Sequence, residues 1–200
     1  MPDFEFENLY PAPVAGVDEA GRGPWAGPVV AAAVVLNRDA VPDGLDDSKK
    51  LSVKRREALF DVILRQARVG VGIGSVDEID RLNIARANDL AMARAVDDLG
   101  LVPGFLLIDG LFVPKNLDLP ARAVTGGDGL SLSIAAASII AKVTRDRIMA
   151  DLAVAYPGYG WETNQGYGTA AHRRGLETLG VTPHHRRSFK PIHNILGEET

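Results

Sequence analysis

The sequence predicts an α/β protein. Three observations predict it. Apolar runs of strand length, rich in valine, alanine, leucine and isoleucine, recur near 14–19, 28–36 and 105–108. Segments with apolar residues at helical spacing lie between and after them, near 53–67, 83–99 and 131–155. Acids stand at the ends of strand runs or just past them behind glycines, at Asp18, Glu19, Asp109 and Asp128. Open α/β sheets place their ligands at that end.

In chain order, residues 1–13 read as a tail closed off by Pro11 and Pro13. The stretch from Val14 to Leu36, VAGVDEAGRGPWAGPVVAAAVVL, reads as strand, acidic corner, Gly-Arg-Gly turn and strand. Asn37 to Asp47 is a polar loop. Ser52 is a natural N-cap for the helix over 53–67, with Leu59, Val62 and Ile63 on its apolar face. Val69 to Val76 reads as a strand weakened by glycines. Asn83 to Leu99 is helical, and Gly100 sits at its C-terminal end. Phe105 to Ile108 is a buried strand that ends on Asp109-Gly110, and Ala121 to Thr125 a short one that ends on Gly126-Gly127-Asp128. The helix over 131–155 opens with a small-residue half suited to close packing on a sheet. Its second half carries Arg145, Asp146, Arg147 and Asp151, which suit an exposed face. After Pro157 the loop YPGYGWETNQGYG is dense in aromatics, which either cap a core or stack on bases and sugars. A helix from about 169 to 179 and a basic end complete the chain.

Two hundred residues suit one domain, and 46% hydrophobic with 24% charged residues supply enough apolar material for a core. There is no cysteine, so disulfides and thiolate metal sites are excluded. The acidic N-terminus lacks a signal-peptide pattern, and no stretch reaches about 18 uninterrupted apolar residues, so a cytoplasmic protein without a membrane span is expected. A net charge of −4 argues against non-specific nucleic-acid binding. Basic clusters nevertheless occur: Lys49 to Arg56, Lys142 to Arg147, and Arg173 to Lys190. Such clusters are most often solvated faces, and they are also what tracks phosphates in a nucleic-acid site.

Asp18 and Glu19 are chain neighbours. Neighbours in a regular strand face opposite sides, so both serve one site only where the strand ends or twists. Each acid also has a plainer reading, as an exposed acidic turn or an Asp-Gly turn. If the strands are neighbours in one sheet, all four acids converge. Their repulsion then calls for a divalent cation with oxygen ligands, Mg²⁺ or Mn²⁺ rather than Zn²⁺, and paired hard metals beside basic clusters point to phosphoryl chemistry.

Five stretches carry a family resemblance: GVDEAGRGPWAGPVVAAAVVL, DSKKLS (Asp47 to Ser52), LLIDG (Leu106 to Gly110), SIAAASIIAKVTRDR (Ser133 to Arg147) and YPGYG…GYGT (Tyr156 to Thr169). Together they resemble ribonuclease HII, the type 2 ribonuclease H family, over about residues 14–192 and in the family's order. The lack of an extra N-terminal domain favours this type over ribonuclease HIII. The resemblance implies a ribonuclease H-like fold, a central mixed β-sheet flanked by helices with a small helical C-terminal part. Residues 1–155 would form the catalytic domain and 156–200 a helical substrate-binding segment of the same domain. The metal-binding catalytic acids match Asp18, Glu19 and Asp109, and the fourth acid matches Asp128. Asp146 in TRDR stands second, since an ion pair with Lys142, Arg145 or Arg147 explains it mid-helix. Gly21, Arg22 and Gly23 match the loop that recognises the ribonucleotide. Tyr167 matches the tyrosine beside the ribose. Ser48 and Lys49 are candidates for phosphate contact. Asn164-Gln165 stands where the family pattern has a lysine or histidine, and Trp25, bulkier than the family's leucine, reads as packing.

The resemblance implies an endoribonuclease, a phosphodiester hydrolase that cuts the RNA strand of RNA–DNA hybrids and the 5′ side of single ribonucleotides in duplex DNA. Two Mg²⁺ or Mn²⁺ ions would support hydrolysis to a 3′-hydroxyl and a 5′-phosphate, in ribonucleotide excision repair. A monomer is expected. The rival readings are a metal-dependent phosphatase and a non-catalytic nucleic-acid-binding module. No G-x-x-x-x-G-K-[ST] is present, which disfavours a P-loop nucleotide site, and the four histidines lack H-E-x-x-H spacing.

Overall fold

The structure, a computed structural model, describes residues 1–197. Residues 198–200 of the expected C-terminal segment lie outside the described residues. Five strands form one mixed sheet in the order β3-β2-β1-β4-β5. They are β1 (Val14–Ala20), β2 (Val29–Val35), β3 (Arg68–Gly74), β4 (Phe105–Asp109) and β5 (Ala121–Val124). β1, β2 and β3 pair antiparallel, whereas β1, β4 and β5 run parallel.

The sheet is covered on both faces. Val17, Ala31, Ala33 and Ile108 face α3 (Ile84–Asp97), which presents Ala87, Ala91 and Ala95. Ala32 and Val34 face α1 (Val53–Gln66) and α4 (Leu132–Ala155), which contribute Ile63, Ala136, Ile139 and Ile140. Each such side chain, fully buried, contributes about 1.5–3 kcal/mol if it is as large as isoleucine. The small-residue half of α4 lies directly on β1. A Cβ at Gly16 would sit 2.1 Å from the backbone carbon of Ser133, so only glycine permits this approach. The sequence reading of that half as sheet-packing therefore holds, and the contact brings α4 beside the end of β1.

Beyond Pro157 the chain forms α5 (Trp161–Asn164), α6 (Ala170–Leu179) and α7 (Lys190–Leu196). They enclose a second core of Trp161, Tyr159, Leu176 and Ile192 with Met149 of α4 and Ala26. Among the described residues, no helix is long and apolar enough to cross a membrane.

The fold departs from the sequence expectations at the N-terminus, after β3 and on α1. The N-terminal residues are not a tail: Glu7 is 2% exposed and accepts hydrogen bonds from Ser131 Oγ at 2.7 Å and Ser133 N at 2.9 Å. A carboxylate there satisfies one free amide at the start of α4, that of Ser133. The strand expected to reach Val76 stops at Gly74, and α2 (Val76–Leu82) follows behind a capping box of Ser75 and Glu78. The apolar face of α1 includes Phe60, while Val62 is only half-buried.

Candidate active site

Strand register gathers the first two acids. β1 and β4 are parallel neighbours with Val17 level with Ile108, so Asp18 and Asp109 follow side by side on the face covered by α4. Asp109 stands level with Val124 of β5. The chain then turns through Gly126 and a single 3₁₀ turn, Gly127–Gly129, that carries Asp128. The Gly127 N–H donates to Asp109 Oδ1 at 2.7 Å and ties this turn to the strand end. One carboxylate oxygen from each of Asp18, Asp109 and Asp128 lies within 4.8 Å of the others.

Burial pushes the Asp18 carboxyl well above the usual range, and the charges of Glu19 and Asp109 add to it. Burial and then the charge of Asp128 raise Asp109 as well. Lys49 Nζ stands 3.2 Å from Asp128 Oδ2. Burial works against the lysine's charge, but the Asp128 hydrogen bond and the charges of Asp128, Asp47 and Asp18 together outweigh it, so the Lys49 pKa rises. One lysine against three convergent carboxylates leaves the site short of positive charge. Hard oxygen donors of this kind fit a divalent cation such as Mg²⁺ or Mn²⁺, with substrate and water completing the shell.

Glu19 does not join those three. The alternation of β1 continues through it, so its side chain leaves on the α3 face, where Arg22 Nη1 holds Oε1 at 3.2 Å. It still lines the same cleft, about 330 Å³ in volume, as Asp18, Asp109, Gly21 to Gly23 and Tyr167. Burial raises the Glu19 pKa and Arg22 opposes it. Tyr167 is 51% exposed, and its ring edge lies 3.4 Å from where a Cβ on Gly23 would be. Ser48 is buried, its hydroxyl 2.8 Å from that of Ser138, which also reaches the Asp18 carboxylate. Asp146 is taken up by Lys142 at 2.6 Å, the ion pair expected for it. Trp25 packs as expected: Gly168 lies against its ring, and its backbone bonds Gly166 and Arg186.

Four residues of consequence escaped the sequence reading. Arg145, expected on an exposed face, is 1% exposed and donates to the carbonyls of Pro28, Ala26 and Gln165. It turns inward because Gly21, at φ 97°, leaves no Cβ above it; one there would stand 1.9 Å from Arg145 Nε. Arg186, assigned to a basic end, is fully buried. His172 and His185 form a buried chain. Thr182 N donates to His185 Nδ1, so the His185 proton sits on Nε2 and is donated to His172 Nε2 at 3.0 Å. His172 Nδ1 in turn donates to the backbone carbonyl of Tyr167 at 3.0 Å. Neither arginine carries a local sequence signal of burial, because the carbonyls that receive them come from distant chain segments.

A family model described as Ribonuclease HII matches residues 15–192. The Ribonuclease HII of Ruegeria pomeroyi is 59% identical, over all of this chain and 87% of its own length. That of Jannaschia sp. is 62% identical, over 98% of each chain. The crystal structure of ribonuclease H2 from Pyrococcus horikoshii OT3 superposes with a TM-score of 0.77 at 28% identity, covering 91% of this chain and 96% of the other. The motif order, the sheet with its three convergent aspartates and these full-length similarities agree: the chain belongs to the ribonuclease HII family, metal-dependent endoribonucleases that act on RNA–DNA hybrids.

Proposed function

We propose that this protein also cuts the 5′ side of a single ribonucleotide embedded in duplex DNA, using two Mg²⁺ or Mn²⁺ ions held by Asp18, Glu19, Asp109 and Asp128. The observation that carries the reading is one cleft lined by three of the acids, Asp18, Glu19 and Asp109, and by the residues suited to inspect a sugar, Gly21 to Gly23 and Tyr167. When bound, the ions lower the pKa of the attacking water and neutralise charge on the scissile phosphate and the leaving 3′ oxygen, giving a 3′-hydroxyl and a 5′-phosphate.

The chain supplies placement. Asp18 and Asp109 are held by strand register, and Asp128 by its turn and by Lys49. Glu19 joins as the fourth acid from the cleft wall by releasing Arg22, which is then free for a phosphate. Lys49 and Ser48 bring donors to the phosphate side of the cleft. The 2′-hydroxyl is what distinguishes a ribonucleotide from its DNA neighbours. Backbone groups of Gly21 to Gly23 approach it, and the half-exposed Tyr167 ring closes on the sugar. Residues 1–155 act as the catalytic part and 156–200 as the substrate-binding segment of one domain. On this reading the protein works as a cytoplasmic monomer in ribonucleotide excision repair.

The test is a DNA duplex carrying one ribonucleotide, incubated with Mg²⁺ or Mn²⁺ and then with EDTA. A single cut on the 5′ side of the ribonucleotide, abolished by EDTA, is expected. Cutting within continuous hybrids but not at the lone ribonucleotide would refute the sugar-recognition part and leave the metal site standing.

A further inference from the structure

Arg186 is 0% exposed and hydrogen-bonds no carboxylate. Its whole fork is spent on carbonyls. Nε donates to Gly27 O at 2.9 Å, Nη1 to Arg22 O at 2.9 Å, and Nη2 to Gly21 O at 2.5 Å and Pro28 O at 3.2 Å. The face of the guanidinium lies 5.1 Å from the Phe189 ring centroid. Burial and then the charge of Arg145 disfavour the cation and outweigh the charge of Asp80, which bonds the neighbouring Arg187 and Ser188 amides and favours it, so a buried arginine here needs a reason. Only a guanidinium spreads donors widely enough to reach four carbonyls from two stretches of one loop at once.

The consequence lies on the other side of the peptide planes. In a trans peptide the C=O and the following N–H point in opposite directions. With the carbonyls of Gly21 and Arg22 turned inward onto Arg186, the amides of Arg22 and Gly23 turn outward, and Gly21 to Gly23 line the cleft. Among the described residues, neither amide donates to a protein acceptor. Two donors are therefore free and aimed by a group that touches none of the acids.

We propose that Arg186 is a positioning residue for ribonucleotide selection: by holding the Gly21 and Arg22 carbonyls inward, it fixes the Arg22 and Gly23 amides toward the sugar hydroxyl in the cleft. This rests on the sugar-recognition reading above. Lysine in its place keeps the charge but concentrates its donors at one point, so the two peptides lose their common anchor. Glutamine removes the charge and retains two donors, which lowers the burial cost and guards against a variant that fails to fold.

The experiment measures kcat and KM on a duplex with one ribonucleotide, together with the inhibition constant of an all-DNA duplex as competitor. The proteins are wild type, Arg186→Lys, Arg186→Gln and Val14→Ala. Val14 lies in a separate core cluster at the start of β1, the opposite end of the strand from Asp18 and the loop, so its truncation controls for lost stability. For Arg186→Lys and Arg186→Gln, kcat/KM on the single ribonucleotide is expected to fall about ten- to hundredfold, as for two weakened hydrogen bonds. The all-DNA inhibition constant and the Mg²⁺ concentration for half-maximal rate are expected to stay within about twofold. Val14→Ala is expected to keep the wild-type ratio between the two duplexes. A parallel loss on both duplexes, or an unchanged ratio in either folded Arg186 variant, overturns the proposal. Failure of the wild type itself to cut at the single ribonucleotide defeats the sugar-recognition reading instead.

Discussion

Replacing Asp109 by asparagine should raise the stability of the metal-free protein while removing its activity. Three carboxylate oxygens stand within 4.8 Å of one another. At an effective dielectric of about 20, each like-charge pair at that distance costs about 3.5 kcal/mol. Asparagine removes two such pairs. The gain has a ceiling, because a carboxylate under enough pressure keeps its proton. With an ordinary value of 3.8, Asp109 cannot cost more than about 4 kcal/mol at pH 7. Asparagine Oδ1 keeps the acceptor for the Gly127 N–H. A net gain of roughly 2–4 kcal/mol follows, or a rise in Tm of about 5–10 °C for a chain of this size.

The sign with pH is set by the raised value. Between pH 3.8 and that raised value the folded protein binds more protons than the unfolded chain, so wild-type stability falls as pH rises through the window. The gap between variant and wild type should therefore be small near pH 4 and widest above the raised value. The assay is thermal denaturation in EDTA across pH 4–8, repeated with excess Mg²⁺. Metal should lift the wild type by about 2.7 kcal/mol at a hundredfold excess over Kd and leave the variant nearly unchanged. Cleavage by the variant should fall by orders of magnitude. A variant less stable than wild type in EDTA at pH 7, or one with normal turnover, would refute the reasoning.

Other perturbations probe the rest of the molecule. Tyr167→Ala should cut the rate at a single ribonucleotide about tenfold, as for one lost ring contact, and leave the Mg²⁺ dependence alone; a collapse in metal affinity would contradict its place at the sugar. Burial, followed by the neighbouring His172, depresses the His185 pKa to about 3. Its folded value thus lies below the ordinary 6.5, so its stability contribution is complete above pH 6.5 and is lost as pH falls toward 3, by at most about 5 kcal/mol. Urea denaturation at pH 7 and 4.5 should show a smaller acid loss in His185→Asn than in wild type, and equal losses would count against it. Glu7→Ala strips the start of α4 of its acceptor and should cost about 1–3 kcal/mol in urea denaturation; an unchanged midpoint would show the N-terminal contact to be idle.

Much of the architecture was legible because its signals are local. Runs of β-branched and small apolar residues marked β1, β2 and β4, and Ser52, Ser131 and Thr169 each stand at the N-cap of a helix. Short elements with weak periodicity, α2 and α7, escaped, although the Ser75–Glu78 capping box was present in the chain. The four acids, the Gly-Arg-Gly loop and Tyr167 were likewise readable, since motif spacing survives in one dimension. By itself, then, the sequence determined which residues are candidates for the chemistry and the order of elements that bears them.

What only the tertiary structure decided is which of those groups meet, and what holds them. Parallel pairing of β1 with β4 sets Asp18 beside Asp109, while the same pleat sends Glu19 to the other face. Arg145 and Arg186 look like surface cations in the chain, yet both are buried under the loop from Gly21 to Pro28. Their acceptors are backbone carbonyls, which every residue has. No side-chain pattern encodes such a partner, and it exists only once distant segments have folded against each other.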